Sequence, residues 1–455
     1  MKELNFLLRN KKSLYITLIL SLIYIIPLLI SNYEYLDDWG RNLYGYGWQH
    51  DGRFIATLFG KLWSFNEAIF SIHPFSLILS ALILGFTGYL ITSIFNIEKE
   101  NTIKWSSLIV LTNPVFLGNL VFKFDSLPMA LSLFFVVFPF VYYEKKWWFI
   151  FTSLIGVFLS LGLYQSSATV FFIVGSFFLI QDVKNWEWKS FIVNLGFIIG
   201  IFLTAFVGYI SIIKIMGFSS ERTEMIVFQT DFILNLMNNY EIFKQRIDLI
   251  LGSGNYILFV GSFLFFCVLG VAYYIFFNKN KFKLFVILPV ILLIVLVDYV
   301  LISSVNILLK ETYWDLRTFC GLSFFLLICL SFQNELKGIG LKIGRQFTFL
   351  LIAFSFVLMA QFGRILDYQF QFQNAISYEL NHYFKDETIK KVSFIGMLRI
   401  APRNEFVYSK FPLFNNLLSS PIGQFSAWTN DALNANGMLE GVEVISVDQV
   451  DCKTP

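Results

Sequence analysis

The feature that most constrains this chain is a series of long apolar segments. A helix that crosses a bilayer needs about 20 predominantly apolar residues, because the hydrocarbon core is about 30 Å thick. Eleven segments of roughly that kind occur, at residues 13–31, 70–95, 104–121, 127–143, 147–163, 167–181, 189–216, 256–277, 284–302, 316–332 and 347–363. Lipid offers the backbone no hydrogen bonds, so each segment is expected to be helical. The sequence therefore predicts an all-α polytopic membrane protein with about eleven transmembrane helices.

The composition agrees with lipid as the main solvent of this chain. Of its 455 residues, 56% are hydrophobic and only 14% are charged, whereas a soluble domain carries about 25% charged residues. The net charge of +3 is too small to indicate nucleic acid as a partner. The four cysteines and three histidines show no spacing typical of a metal site or of a disulfide framework.

Lysine and arginine are concentrated in every second connection between the predicted spans. The basic connections lie at residues 2–12, 99–104, 145–146, 184–189, 279–283 and 337–345. Cytoplasmic loops carry the excess of these residues, so the N-terminus is predicted to be cytoplasmic. Eleven spans then place the C-terminus outside the cytoplasmic membrane.

The outward parts divide the chain into two predicted domains. Residues 1–363 form a transmembrane domain whose first outward loop covers 32–69, and residues 364–455 form a small extracytoplasmic α+β domain. In the second domain the pattern predicts a helix over 365–384, and short strands are predicted over the ranges 392–396 and 442–447. The spans 147–163 and 167–181 are so close that they predict a tight helical hairpin.

The first outward loop holds the most informative group of polar residues. If residues 35–41 are helical, Asp37 and Arg41 lie four apart on one face and can pair. The same helix would have an apolar face made of Leu36, Trp39, Leu43 and Tyr46. A group transfer to a hydroxyl needs a carboxylate that accepts the proton, a role that suits Asp37 or Asp38. A phosphate leaving group needs cations nearby, a role that suits Arg41 and Arg53.

Ionisable and polar residues of the spans cluster in the predicted outer half of the membrane. They are Lys123, Asp125, Gln165, Lys214, Asp298, Asp315 and Arg317. Because such residues are costly in lipid and usually functional, their one-sided distribution predicts a single outward-facing cavity. Arg222, in the outward connection 217–255, is a further candidate for contact with an acceptor or a phosphate. Trp48 is a candidate for stacking on a sugar.

The pattern YxDDxxR at residues 35–41, followed by Gly47, Trp48 and the Gly52-Arg53 pair, resembles the GT-C class of membrane glycosyltransferases. It is more narrowly similar to the O-antigen serotype-conversion glucosyltransferases of the Gtr type. Asn113-Pro114, Asp125 and Arg317 are similar to the same family. The resemblance covers residues 13–363.

This resemblance implies a GT-C-like fold in the bacterial cytoplasmic membrane. It implies transfer on the periplasmic side from a polyprenyl-phosphate-linked sugar, by default glucose, to a lipid-linked or surface glycan. It also implies that the acidic residues of the first loop, here Asp37 and Asp38, are functional, without saying which of them is the base.

The resulting site prediction has two groups of residues. The predicted catalytic residues are Asp37, Asp38 and Asp125. The predicted substrate-binding residues are Arg41, Trp48, Arg53, Gln165, Arg222, Asp315 and Arg317. Two adjacent carboxylates are of the type that holds a hard divalent cation, but no fuller ligand set is present, so metal dependence is left open and no metal ligand is assigned.

Three other classes of protein compete with this interpretation. An O-antigen polymerase or ligase would carry functional arginines in a large loop near the middle or end of the chain. A lipid-linked sugar flippase or transporter would carry polar residues through the full bilayer depth and would often show internal repeats. A structural scaffold would not explain why the charged residues of the membrane gather on one side.

Overall fold

The computed structural model describes residues 10–97, 104–217, 226, 231–277, 281–310, 313–384, 391–393, 398–418, 426–435 and 443–444. Helices dominate these ranges. The first nine are α1 (Lys11–Ile30), α2 (Asp37–Tyr44), α3 (Phe54–Ser64), α4 (Phe75–Ile94), α5 (Ile109–Thr112), α6 (Leu117–Leu120), α7 (Ser126–Val137), α8 (Lys146–Leu163) and α9 (Val170–Lys184). The others are α10 (Trp188–Ile215), α11 (Phe232–Leu251), α12 (Tyr256–Phe277), α13 (Lys281–Leu301), α14 (Gly321–Gln333), α15 (Gly338–Phe384), α16 (Glu405–Lys410) and α17 (Ser426–Ala435).

Within the described ranges, nine helices are long and apolar enough to cross a bilayer. They coincide with nine of the eleven predicted spans, and they are α1, α4, α8, α9, α10, α12, α13, α14 and α15. The predicted class, an all-α polytopic membrane protein, is thereby confirmed. The two remaining predicted spans, 104–121 and 127–143, have a different structure.

The predicted span 104–121 is a chain of short helices. Asn113 is extended, with φ −60° and ψ 133°, and its side chain accepts a hydrogen bond from the Val115 amide at 3.2 Å. Pro114 has no amide hydrogen and disfavours helical conformation in the residue before it, so α5 ends and a new turn begins. The segment is nevertheless deeply buried, and Val110 and Phe116 are fully covered. The predicted span 127–143 is the shorter helix α7, which continues as 3-10 turns to Tyr142.

The predicted hairpin between α8 and α9 is confirmed. Helix α8 ends at Leu163, Tyr164 is extended, and a single 3-10 turn at Gln165–Ser167 precedes α9. Helix α8 packs against α7 and α10. Small residues permit these close contacts: a side-chain carbon at Gly156 of α8 would collide with the carbonyl oxygen of Phe135 in α7.

Helix α15 extends far beyond the span predicted at 347–363. It runs without interruption from Gly338 to Phe384, so the predicted domain boundary at 363–364 falls inside one continuous helix. The helix predicted over 365–384 is present as its last part. The following chain packs on it, because Gln369 Oε1 accepts a hydrogen bond from the Ala401 amide at 2.8 Å and Asn404 Nδ2 donates one to the Ile365 carbonyl at 3.0 Å.

Two short strands lie in the C-terminal part. Strand β1 (Lys391–Val392) pairs in parallel with β2 (Glu443–Val444), with Lys391 opposite Glu443. Both overlap the predicted strand ranges 392–396 and 442–447, most of which lie outside the described residues.

Candidate functional site

Helix α2 carries the acidic pair, so this part of the first loop is helical from Asp37 to Tyr44. Two carboxylates in the first turn are favourable because the N-terminal end of a helix is partially positive. Gly45 caps the C-terminal end of this helix, and its φ of 62° favours glycine.

The predicted apolar face of α2 is formed only in part. Leu36 and Trp39 are buried, whereas Leu43 and Tyr46 are 38% and 41% exposed. The helix stops before Tyr46, so this residue does not continue the helical face.

Asp38 joins α2 to the turn at residues 121–125. Its side chain is fully buried, and its two oxygens accept backbone hydrogen bonds from Lys123 at 2.9 Å and from Phe124 at 3.4 Å. Burial raises the pKa of Asp38 to about 7, although these hydrogen bonds lower it. Asp38 therefore holds the turn that carries Asp125 in place.

Asp37 has a different environment, although it is the next residue. Asp37 is half-buried, and its negative charge helps to raise the pKa of Tyr46, Tyr313 and Asp431. Residues of the first loop, of the segment before α14 and of α17 are therefore near enough to Asp37 to interact with it electrostatically. The predicted pair of Asp37 with Arg41 is not formed, because Arg41 contacts Asp125 instead.

Asp125 lies in the turn between the spans and is the centre of a buried ionic cluster. Arg53 Nη1 lies 2.5 Å from its Oδ1, and Arg41 Nε lies 3.7 Å from its Oδ2. Burial raises the pKa of Asp125, but Arg53, Arg41 and Arg317 together lower it to about 2. Arg53 Nε also donates a hydrogen bond to the carbonyl of Leu163 at 2.8 Å, which ties the first loop to the end of α8.

Trp48 packs beside both guanidinium groups of this cluster. Its ring centroid is 4.3 Å from Cζ of Arg41 and 5.6 Å from Cζ of Arg53, and Trp48 is only 1% exposed. Three residues predicted to bind substrate, Arg41, Trp48 and Arg53, are thus brought together with Asp125 in the interior of the protein.

Gln165 also binds the first loop. Its Nε2 donates hydrogen bonds to the carbonyl of Asp51 at 2.7 Å and to the hydroxyl of Tyr209 at 3.0 Å. The Tyr209 hydroxyl donates to the carbonyl of Gly52 at 3.2 Å. The hairpin between α8 and α9 and the C-terminal part of α10 therefore hold the backbone next to Arg53.

Arg317 is the third guanidinium group of the site and is more exposed than the other two. Its Nε lies 3.2 Å from Asp315, its Nη2 donates to the hydroxyl of Tyr313 at 2.7 Å, and Cζ lies 4.5 Å from the ring centroid of Phe122. The side chain of Arg317 is 12% exposed, against 4% for Arg41. Tyr313 is 40% exposed, so this group lies at the rim of the site.

The other predicted residues lie elsewhere or are not described. Arg222 lies outside the described residues. Asp298 is buried among the helices, where it accepts a hydrogen bond from Ser176 at 2.5 Å. Lys123 lies 3.5 Å from Glu34. It lines a crevice together with residues of α1, α4 and α15. The site residues Asp37, Asp38, Asp125 and Arg317 do not line this crevice. In the described part of the chain, no three His, Cys, Asp or Glu side chains come together as metal ligands would.

Two neighbours of Asp37 were not predicted from the sequence. Tyr313 lies two residues before Asp315. An aromatic residue so close to a candidate charged residue could have been predicted to belong to the site. Asp431 lies almost 400 residues from Asp37 in a polar tail, where no spacing distinguishes it from other acidic residues.

Comparisons with known proteins identify the family of this chain. The model of a family described as "Glucosyl transferase GtrII" matches residues 26–328, which include α2, Asp125 and Arg317. A protein of Salmonella phage P22, described as "Uncharacterized 55.3 kDa protein in gtrB 5'region", is 26% identical over 436 residues. That alignment covers 92% of this chain and 88% of the relative. No solved structure matches. Because the family match covers well over half of the sequence, the chain belongs to the GtrII glucosyl transferase family.

Proposed function

We propose that this protein moves a glucosyl group from a polyprenyl-phosphate-linked donor to a hydroxyl of an O-antigen glycan, on the outer face of the bacterial cytoplasmic membrane. Family membership makes it a membrane glucosyltransferase of O-antigen modification. The lipid-linked donor, the side of the membrane and the residue roles are our proposal. The observation that carries the residue roles is the contrast between half-buried Asp37 and fully buried Asp38 at the start of α2.

Asp37 is proposed as the general base. It is half-buried rather than fully buried, and its charge contributes to the raised pKa of Tyr313, whose hydroxyl accepts a hydrogen bond from Arg317. The acceptor hydroxyl gives its proton to the Asp37 carboxylate, and the hydroxyl oxygen forms a bond to the anomeric carbon. The bond from that carbon to the phosphate oxygen breaks, and polyprenyl phosphate leaves with the electron pair. A positioned carboxylate of this kind contributes about 10²- to 10⁴-fold in rate.

Arg317 is proposed to stabilise the charge that develops on the departing phosphate. A cation is most effective where charge appears in the transition state and water is excluded. Arg41 and Arg53 suit this role less well, because both are buried and already contact Asp125.

Asp125 and Asp38 are proposed as positioning residues. The low pKa of Asp125 makes it a weak base, and two arginines cover it. Asp38 has both oxygens engaged by backbone amides. The buried cluster of Arg41, Arg53 and Asp125 then fixes the first loop against the membrane helices.

An outward orientation is supported by the positions of charges along individual helices. Helix α8 has Lys145 and Lys146 at its start and meets Arg53 through Leu163 at its end. Helix α10 has Lys189 near its start, and Tyr209 near its end contacts the first loop. The basic connections and the site thus lie at opposite ends of these helices, which places the site outside under the positive-inside rule.

Analysis of the O-antigen tests this function. Deletion of the gene should remove the added glucose from the surface glycan, and the wild-type gene should restore it. Asp37→Asn at normal expression should fail to restore it, whereas Glu144→Gln, a change in an exposed carboxylate next to Lys145, should restore it fully.

The donor is tested in the same strain. Loss of the enzyme that makes polyprenyl-phosphate glucose should abolish the modification even when this protein is present. Unchanged glucose content in that background would exclude the proposed donor, and an unchanged glycan after deletion of the gene would exclude the function.

A further inference from the structure

The C-terminal part of the chain brings a further carboxylate against α2. Helix α17 packs along α2, and its residues Thr429, Ala432 and Leu433 are all buried. Asp431 is half-buried and lies on this helix next to them. It belongs to a part of the chain well beyond residue 328, where the match to the family ends.

Asp431 lies directly over the backbone of Gly40. A side-chain carbon built on Gly40 would be 2.6 Å from Asp431 Oδ2 and 2.8 Å from the hydroxyl of Tyr46. Tyr44 is also near this carboxylate: burial raises the pKa of Asp431, and Tyr44 lowers it. The absence of a side chain at position 40 therefore allows the carboxylate and the two tyrosines to meet at one point of α2.

The aromatic rings at this point are open to solvent. Tyr44 is 60% exposed and Tyr46 is 41% exposed. A carboxylate accepts charge-assisted hydrogen bonds from hydroxyl groups, and aromatic side chains offer an apolar surface with a polar end. This combination suits a pyranose, which has an apolar C–H face and a rim of hydroxyls.

The same residues lie beside the proposed base. The negative charge of Asp37 helps to raise the pKa of both Asp431 and Tyr46, so all three side chains are near one another. A sugar bound over Gly40 would therefore have one edge at Asp37, as required of the ring that carries the reacting hydroxyl.

We infer that Asp431, Tyr44 and Tyr46 form the subsite that binds the acceptor glycan, an inference that rests on the proposed function. The ligand class is a neutral hexopyranose-containing oligosaccharide, bound through its hydroxyls by Asp431 and through its apolar face by the tyrosines. The C-terminal segment, which lies outside the family match, thereby contributes to the choice of acceptor.

Binding to the full-length protein in detergent, without any donor, tests this subsite. The probe is O-polysaccharide released from a strain that lacks this gene, and the dissociation constant is measured by titration. Asp431→Asn should weaken binding about tenfold or more, because a hydrogen bond to a charged group is lost. Gly40→Ala should weaken it similarly, because the new methyl group displaces the Asp431 carboxylate.

The variant Gly40→Ala tests the subsite even if Asp431→Asn fails to fold. Alanine favours a helix more than glycine does, so Gly40→Ala is not expected to unfold α2, and thermal denaturation verifies both variants. Glu144→Gln is the matched control and should bind like wild type. Wild-type affinity in Gly40→Ala and in folded Asp431→Asn, or absence of binding to the wild type, would overturn the subsite.

The test separates the subsite from the proposed function. If wild-type protein transfers glucose but both variants bind the polysaccharide normally, only the subsite is wrong. If wild-type protein adds no glucose to the glycan in cells, the proposed function itself fails.

Discussion

At the scale of single residues, Asp37 and Asp38 show how neighbouring identical side chains acquire different chemistry. The sequence indicates an acidic pair but does not distinguish its members, because both lie in the first turn of α2. The distinction comes from the turn at residues 121–125, whose backbone amides bind only Asp38. Such a contact joins positions about 85 residues apart and has no local sequence signal.

The raised pKa of Asp38 predicts a pH dependence of stability. Its folded-state pKa of about 7 lies above the ordinary value of 3.8, so the folded state holds the proton more tightly. The resulting stabilisation is complete below pH 3.8 and is lost as the pH rises through about 7. The melting temperature in detergent should therefore fall between pH 5 and pH 8, and Asp38→Asn should reduce this fall. An identical pH profile in the variant would contradict the assigned environment.

The buried pair of Arg53 and Asp125 predicts a strong, asymmetric effect of mutation. Arg53→Leu leaves Asp125 buried with Arg41 alone at 3.7 Å, and loss of one partner of a buried pair costs about 3–5 kcal/mol. Asp125→Asn should be more destabilising than Arg53→Leu, because it leaves the buried guanidinium groups of both Arg41 and Arg53 without a carboxylate. Thermal unfolding of the three proteins measures this, and equal stability of wild type and Arg53→Leu would refute the argument.

At the scale of helices, apolar length predicted most of the fold and local chemistry decided the exceptions. In the described ranges, nine spans follow from runs of about 20 apolar residues. The segment 104–121 has the same composition but is interrupted at Asn113-Pro114, because proline breaks the hydrogen-bond pattern. Helix α15 is much longer than the span predicted at 347–363. After residue 363 the sequence becomes too polar for a membrane span, but the chain remains helical.

Two glycines in spanning helices predict opposite responses to the same change. Gly156 of α8 faces the carbonyl of Phe135, whereas Gly200 of α10 has no atom within 4 Å of an added carbon. Gly156→Ala should lower stability by about 1–3 kcal/mol through overpacking, and Gly200→Ala should be neutral or slightly stabilising. Thermal unfolding in detergent compares them, and an equal effect at both positions would contradict the close packing of α7 and α8.

At the scale of the whole molecule, the site is assembled from parts that are distant in sequence. The first loop, the turn at 121–125, the α8–α9 hairpin and the segment before α14 all meet around Asp125 and Asp37. The one-sided distribution of polar residues predicted an outward-facing cavity. Of those residues, Asp125, Gln165 and Arg317 lie around this site, whereas Asp298 is buried elsewhere among the helices. The contribution of α17 was not predictable, because its packing on α2 depends on the folded chain alone.

The rate of glucosyl transfer by the purified full-length protein in liposomes tests the central claim most directly. With polyprenyl-phosphate glucose and O-polysaccharide present, Asp37→Asn should transfer glucose about 10²- to 10⁴-fold more slowly than wild type. Folded Asp38→Asn should stay within about tenfold of the wild-type rate, since Asp38 is assigned no proton transfer. Transfer by Asp37→Asn at the wild-type rate would contradict the claim that Asp37 is the base.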